Sequence, residues 1–293
     1  MNLVRTFADA RARYQGTVAL VPTMGFFHEG HLALMAAARQ AADTVVVSHF
    51  VNPLQFNNPA DLDRYPRDLE RDISIAAETN VDILFAPSSA EVFPLPLLTK
   101  VEVEHLSEPM EGRFRPGHFA GVATIVTKLF AGLQPHLAYF GRKDAQQLSI
   151  VRRLATDLSF QVRVIAHPTV RESDGLALSS RNTLLSPDQR LAARELSQGL
   201  FAAAAAAEAG ERRAENLEGM VRAGMRRATP EYVELASQER VERLVEIDRP
   251  AFLAVAATIG SVRLIDNVAF DIVAGEIVTD RGIRLEQSSL LYH

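Results

Sequence analysis

Short apolar runs alternate with helix-length segments through the first 170 residues, and this alternation restricts the possible folds more than any other feature of the chain. Strands are expected at residues 17–21, 44–51, 81–86, 137–140 and 161–166, with helices at 31–42, 66–80, 119–133 and 144–158. The strand runs are rich in Val, Ile and Leu and show little polar alternation, the pattern of strands covered on both faces. Strand–helix–strand repetition predicts an α/β fold, a Rossmann-like doubly wound parallel sheet that binds ligands beyond the carboxyl ends of its strands.

The pattern changes past residue 170. Ser186-Pro187-Asp188-Gln189 reads as a helix start, with Ser as N-cap, Pro at N1 and Gln at N3 of a capping box. That helix runs to about residue 208, and a second is expected over 212–227. Strands follow at 232–236, 251–258 and 261–266, the last two joined by a tight turn at Ile259-Gly260. The expected organisation is therefore a domain over residues 1–170 and a smaller C-terminal α+β domain over 171–293.

Composition narrows the function classes. With 31 Lys and Arg against 36 Asp and Glu, the net charge is −5, which argues against a general nucleic-acid binder. The absence of cysteine excludes disulfides, thiolate metal sites and a cysteine nucleophile. The N-terminus lacks the apolar core of a signal peptide, and no run of about 18 apolar residues exists to span a bilayer. The alanine run at 202–207 is too short for that. A soluble, cytoplasmic protein with no membrane partner is expected.

The first strand runs into a turn, Val18-Ala-Leu-Val-Pro-Thr-Met-Gly-Phe-Phe-His28-Glu-Gly-His31, that opens the first long helix. Two imidazoles and a row of backbone N–H groups at a helix N-terminus suit an anion such as a polyphosphate. Zinc ligation and ordinary loop packing are the alternatives; zinc hydrolases prefer His at i and i+4, whereas His28 and His31 are three apart around Gly30. Other polar clusters adjoin predicted strands. Asn52-Pro53-Leu54-Gln55-Phe56 follows the second, and Gly141-Arg142-Lys143-Asp144 follows the fourth, where Lys143 can reach phosphate oxygens and Gln147 lies one turn on. Leu178-Ser179-Ser180-Arg181-Asn182 at the domain junction offers hydroxyls and a guanidinium to a triphosphate. Glu111 to His118 reads as a basic, Gly-containing loop leading into a helix, either a substrate lid or a surface turn. Each cluster alone is common loop chemistry.

Together they resemble the nucleotidyl-transfer superfamily that includes the catalytic domains of class I aminoacyl-tRNA synthetases, and within it the pantothenate synthetase (pantoate–β-alanine ligase) family. The motifs carrying the resemblance are Pro22-Thr-Met-Gly…His28-Glu-Gly-His31, Phe50-Val-Asn-Pro-x-Gln-Phe56, Tyr65-Pro-Arg67, Arg115-Pro-x-His118-Phe-x-Gly-Val122, Phe140-Gly-x-Lys-Asp-x-Gln-Gln147 and Arg171-Glu-x-Asp-Gly-Leu-Ala-x-Ser-Ser-Arg-Asn182.

The resemblance implies an AMP-forming ligase that activates pantoate with ATP as pantoyl-adenylate and passes the acyl group to β-alanine. It implies His31, His28, Lys143 and Arg181 as catalytic residues, with His31 the proton donor. It implies a nucleotide site of Met24, Gly25, Phe26, Phe27, His28, Glu29, Gly30 and His31, with Gly141, Arg142, Lys143, Asp144, Val170, Leu178, Ser179, Ser180 and Arg181. Gln55, Gln147, Asn52, Arg115 and His118 are the implied substrate contacts. Mg²⁺ is expected with ATP, without a dedicated protein ligand; Asp72 and Asp144 are candidates for contact through water. A homodimer and a C-terminal domain acting as a lid are further implications.

Five positions depart from the family pattern. Arg142 and Ala145 replace the usual Glu and Tyr, Phe26-Phe27 stand for Ala-Leu, and His49 for Ile. Two other functions use the same first motif: a nucleotidyltransferase that stops at an adenylylated product, and a nucleotide-sensing protein without turnover.

Overall fold

The computed structural model describes residues 1–57 and 59–292, without the side chains of 59–61. Its first sheet contains β1 (Asn2–Val4), β2 (Val18–Thr23), β3 (Thr44–His49), β4 (Ile83–Phe85), β5 (Leu137–Gly141) and β6 (Arg163–His167), in the order β1-β4-β3-β2-β5-β6. The sheet is parallel, with registered pairs β1/β4, β4/β3, β3/β2 and β2/β5. Its helices are α1 (Phe7–Arg11), α2 (Glu29–Ala41), α3 (Pro59–Arg64), α4 (Leu69–Glu78), α5 (Ser89–Val92), α6 (Glu111–Phe114), α7 (His118–Leu133) and α8 (Ala145–Asp157).

Val18, Ala19, Leu20 and Val21 of β2 are all at most 1% exposed, which is why this strand carries no polar alternation. Side chains alternate across the sheet. Ala19, Val21, Val45, Val47 and Leu84 share a core with Leu34, Met35 and Ala38 of α2 and Ala76 of α4. On the opposite face Phe85 meets Phe7 of α1 with ring centroids 4.8 Å apart, and Arg11 of α1 donates to the Gly132 carbonyl of α7. The expected double winding is thus present. The strand order reverses at β2, which runs between β3 and β5, so the carboxyl ends of β2 and β5 flank the crevice where such sheets bind ligands.

Several boundaries differ from expectation for local reasons. Asp68 accepts a hydrogen bond from the Arg71 N–H and caps α4, so that helix starts at Leu69 rather than residue 66. β3 stops at His49, ahead of the expected residue 51, and Asn52 then caps a short 3₁₀ turn, Pro53–Gln55. α2 starts at Glu29, so His31 belongs to its first turn.

The rest of the chain builds β7 (Val170–Arg171), α9 (Pro187–Glu208), α10 (Ala214–Gly224), β8 (Pro230–Ser237), β9 (Ala251–Ile259), β10 (Val262–Val273), β11 (Glu276–Asp280) and β12 (Ile283–Arg284). Strands β11-β10-β9-β8 form an antiparallel sheet, and β12 pairs in parallel with β7. The capping box at Ser186 forms as expected, with Gln189 reaching back to the Ser186 N–H. Ala192, Leu196, Leu200, Ala203 and Ala207 of α9 share a core with Leu253 and Val255 of β9 and Val268 and Phe270 of β10. The alanine run therefore supplies a helix face that packs closely on a sheet.

The chain divides into two compact units. Met1–Phe27, His31–Phe140 and Ile150–His167 form one; His28–Gly30, Gly141–Ser149 and Pro168–His293 form the other. Among the described residues no helix is long and apolar enough to cross a membrane.

Candidate active site

The turn after β2 is held from beneath by a buried carboxylate. Asp72, on α4 and wholly buried, accepts hydrogen bonds from the backbone N–H groups of Phe26 (2.6 Å) and Phe27 (2.8 Å) and from His49 Nε2 (2.8 Å). Burial alone pushes this carboxyl up, but the bonds from His49, Phe27 and Phe26 together outweigh it and hold Asp72 below the usual carboxylate range. The turn needs that support because Phe26 has φ +54°, in the left-handed region that a bulky residue rarely enters. The Arg71 guanidinium lies 5.1 Å from the Phe26 ring centroid and donates to the Phe27 carbonyl at 3.0 Å. Gly25 has φ +83°, and a Cβ there would lie 2.3 Å from His49 Nε2.

This geometry corrects two expectations. Asp72 is engaged by the turn, not turned toward a metal's water shell. Phe27 is wholly buried, its ring centroid 5.7 Å from both the His31 and the His49 rings, so its side chain belongs to the core, where no nucleotide reaches it. His49 is the residue that meets Asp72, Gly25 and Phe27.

His28, Glu29 and Gly30 lie in the second unit. The Gly30 N–H donates to His28 Nδ1 at 3.1 Å, so the neutral ring that makes this bond carries its proton on Nε2. A Cβ on Gly30 would come within 2.8 Å of His28 Cε1, which explains why glycine precedes His31. The Glu29 carboxylate accepts from Ser289 Oγ and the Leu290 N–H, both at 2.6 Å. Expected at the nucleotide, it is bound instead to the C-terminal segment.

Four of the five expected substrate contacts meet in the first unit. Gln55 donates through Nε2 to Met24 Sδ at 3.0 Å; its backbone carbonyl accepts from His118 Nδ1 at 2.8 Å and from Arg115 Nη2 at 3.4 Å. Asn52, 1% exposed, donates to Gln55 Oε1 and to the Gly121 carbonyl, both at 3.1 Å, while its own carbonyl accepts from the Leu54 N–H. With both amide hydrogens and its carbonyl engaged, Asn52 orients Gln55 and is not itself positioned to contact substrate. Gln147, the fifth, is half-buried on the first turn of α8 in the second unit.

The turn after β5 is pinned through its backbone. Asn267 of β10, 4% exposed, donates to the carbonyls of Arg142 (2.9 Å) and Lys143 (2.8 Å). Beside it the wholly buried Arg171 forms a bidentate pair with Asp266, at 2.7 and 3.0 Å, and donates to the Asn267 carbonyl at 3.0 Å. Lys143 and Asp144 are half-buried. The Arg142 guanidinium lies 3.3 Å from Asp280 and 3.7 Å from Asp271, so it faces the carboxylates of the C-terminal sheet.

The Ser179/Ser180/Arg181 loop leads into a 3₁₀ turn, Ser180–Leu184, capped by Ser179 Oγ, which accepts from the Arg181 N–H at 3.2 Å. Leu178 and Val170 are buried behind it, the Leu178 N–H donating to the Val170 carbonyl. Asn182 donates to Glu172 at 2.8 Å. Ser180 and Arg181 are half-buried.

Asp72, Asp266, Asn267, Glu172 and Arg190 escaped the sequence reading as positioning groups. Of these only Glu172 follows a strand, β7, and opens a turn, and only the spacing of Arg171-Glu172 ahead of the Ser-Ser-Arg run hinted at a buried charge. Among the described residues no group of three or more His, Cys, Asp or Glu is arranged to hold a metal ion.

Comparison with known proteins bears on these elements. The family model described as pantoate-beta-alanine ligase matches residues 1–269. The pantothenate synthetase of Pelotomaculum thermopropionicum is 51% identical over 269 residues, covering 90% of this chain and 95% of that one. That of Thermotoga petrophila is 48% identical over 267 residues, covering 90% and 95%. The crystal structure of pantothenate synthetase from Thermus thermophilus superposes with a TM-score of 0.87 at 45% identity, covering 91% of this chain and 98% of that chain. Pantoate-beta-alanine ligase from Francisella tularensis, complexed with beta-gamma ATP and beta-alanine, superposes with a TM-score of 0.75 at 34% identity, covering 91% and 97%.

Proposed function

The chain belongs to the pantoate–β-alanine ligase family and condenses pantoate with β-alanine at the expense of ATP, and from that premise we propose how its residues divide the work. A pantoate carboxylate oxygen attacks the α-phosphorus of ATP, the bond from that phosphorus to the α,β-bridging oxygen breaks and pyrophosphate leaves. The β-alanine amine then attacks the acyl carbon of the pantoyl-adenylate, loses a proton, and AMP departs. Neither step requires an enzyme nucleophile, so a chain without cysteine can perform both by alignment and charge stabilisation.

In this reading the His28 and His31 rings meet the phosphates, His28 as an Nε2–H donor and His31 as the proton donor. Lys143, Ser179, Ser180 and Arg181 hold the triphosphate. Met24, Gly25, Phe26, Gly141, Asp144, Val170 and Leu178 seat the nucleotide. Gln55, oriented by Asn52 and His118, binds pantoate with Gln147 and Arg115, and Gln55 also adjoins the β-alanine position. Mg²⁺ enters as part of the MgATP substrate, held by phosphate oxygens and water. A homodimer in the cytoplasm completes the reading; light scattering and cell fractionation test those two points.

The observation that carries the reading is the superposition over 91% of the chain on a relative that holds ATP and β-alanine. Incubation with MgATP, pantoate and β-alanine is expected to release AMP and pyrophosphate, with full turnover only when both acids are present. Release of ADP eliminates the proposal. A stable adenylylated product indifferent to amine would favour the nucleotidyltransferase alternative. His31→Ala is expected to slow adenylate formation by roughly 10²–10³, the usual effect of losing one transition-state donor, with little change in melting temperature. Normal turnover in that variant would remove His31 from the mechanism.

A further inference from the structure

Residues 270–292 lie past the part of the chain that the family model matches, yet they touch the loops that carry the candidate phosphate groups. Asp271 and Asp280 face Arg142, next to Lys143. Ile283 of β12 pairs with Val170, and the Leu285 N–H donates to the Arg171 carbonyl, ahead of the Ser-Ser-Arg loop. The segment then reaches Glu29. Ser289, 2% exposed, donates its hydroxyl hydrogen to one Glu29 oxygen, and the Leu290 N–H donates to the other. Ser289 Oγ meanwhile accepts from the Leu291 N–H, which leaves its hydrogen committed to Glu29. Both bonds, at 2.6 Å, have the short length of charge-assisted contacts.

Three residues on, Tyr292 ties the same segment to the other loop. Its hydroxyl accepts from Arg190 Nη1 at 2.6 Å and donates to Glu172 Oε1 at 3.0 Å. Glu172 Oε1 also accepts from Asn182, the residue after Arg181. Burial and the Glu172 carboxylate push the phenol up to about 12, so it remains a protonated donor at neutral pH. Glu172 and Asn182 are 4% and 2% exposed, so the groups that Tyr292 joins lie inside the fold although Tyr292 itself is 43% exposed.

We propose that the C-terminal segment is a strap that sets the spacing between the His28-Glu29-Gly30 turn and the Ser-Ser-Arg loop, with Ser289 and Tyr292 as its positioning residues. The inference rests on reading those loops as the two sides of a triphosphate site. Two loops fixed before ATP arrives need no ordering on binding, so the effect falls on ATP and not on the subsite around Gln55. Turning the Glu29 carboxylate onto Ser289 and Leu290 also commits its charge away from an incoming polyanion.

The test is the full-length double variant Ser289→Ala/Tyr292→Phe. Its KM for ATP is expected to rise roughly tenfold, with KM for pantoate and β-alanine changed less than about twofold, the scale of losing charge-assisted hydrogen bonds that act on one ligand. Amide exchange in the ATP-free protein is expected to quicken at residues 28–31 and 179–182, and Ser289→Thr, which keeps the hydroxyl, to retain wild-type values. Unchanged KM for ATP with unchanged exchange overturns the strap. So does an equal rise in all three KM values alongside a lower melting temperature, which would make the segment a general stabiliser. If the double variant does not fold, exchange at 179–182 in Tyr292→Phe decides in the same way. Wild-type protein that forms no AMP would instead count against the functional reading, while the exchange comparison would still judge the strap.

Discussion

Gln55 and Lys143 are held in different ways. Gln55 is oriented by single hydrogen bonds with Asn52, Met24 and His118, with the Arg115 guanidinium at the longer distance of 3.4 Å. Lys143 hangs from a backbone carbonyl gripped by Asn267, 124 residues away, itself fixed beside a buried Arg171–Asp266 ion pair. A cluster of single bonds can lose one contact at the cost of one hydrogen bond. A buried ion pair cannot lose one partner without stranding the other in a medium that solvates charge poorly. The pantoate side is therefore expected to respond to mutation gradually and locally, the Lys143 side abruptly and as a whole.

The largest effect separates the two most sharply. Asp266→Ala leaves the wholly buried Arg171 without its counter-charge, and breaking such a pair from one side costs about 3–5 kcal/mol. Urea unfolding should report the loss as a lower midpoint. Replacing both partners, as in Arg171→Met/Asp266→Leu, should cost less than Asp266→Ala alone, because no charge is then stranded. If Asp266→Ala destabilises by no more than a single neutral hydrogen bond does, the contrast fails.

Asp72 stands between the two cases, a buried carboxylate that holds neutral N–H groups. Asp72→Asn keeps the shape but presents an amide NH₂ where three donors converge, and should cost about 1–3 kcal/mol. The pH dependence follows from the depressed carboxyl of the folded protein. Asp72's contribution is complete above the unfolded carboxyl value of about 3.9 and is lost as pH falls through the lower folded value. The stability gap between wild type and Asp72→Asn should therefore be constant from neutral pH down to about 4 and shrink below it. A gap that widens in acid would show that the carboxylate does not carry the turn.

The same contrast decides what could be read from the chain alone. The doubly wound sheet was legible because burial on both faces leaves uninterrupted runs such as Val18-Ala-Leu-Val, and the α9 cap because Ser186-Pro-Asp-Gln is a local device. The expected substrate residues Asn52, Gln55, Arg115 and His118 came from short motifs, and these four do converge with Met24. What was not legible is support from a distance. Asp72 reads as one acid among several on an amphipathic helix, and Asn267 as a polar residue in a strand; each acquires its role only when folding brings it under a turn. β1, with three residues on the sheet edge, was too short to show a pattern. Arg142 is a related case: its carboxylate partners lie on β10 and β11.

On the Gln55 side, Gln55→Ala should raise KM for pantoate roughly five- to tenfold, the worth of one or two ordinary hydrogen bonds, and leave KM for ATP nearly unchanged. Asn52→Ala should shift KM for pantoate in the same direction by disorienting Gln55, and the two changes should combine sub-additively because they remove one arrangement. Fully additive effects would mean that Asn52 acts on its own account and does not work through Gln55.

The smallest effect tests whether a charge at the edge of the Lys143 side behaves like the buried pair or like the Gln55 cluster. Arg142 meets Asp271 and Asp280 at partly exposed positions, where each pair is worth about 0.2–1 kcal/mol. Arg142→Ala should therefore lower the melting temperature only slightly, and less at high salt, where exposed charges are screened. Arg142→Glu sets a third carboxylate against those two and should be less stable than Arg142→Ala. Adding Asp271→Asn and Asp280→Asn should restore Arg142→Glu by removing the repulsion. Should Arg142→Glu instead prove as stable as wild type without those changes, the arginine would not be an accommodation to the carboxylates of the C-terminal sheet, and its place beside Lys143 would need another cause.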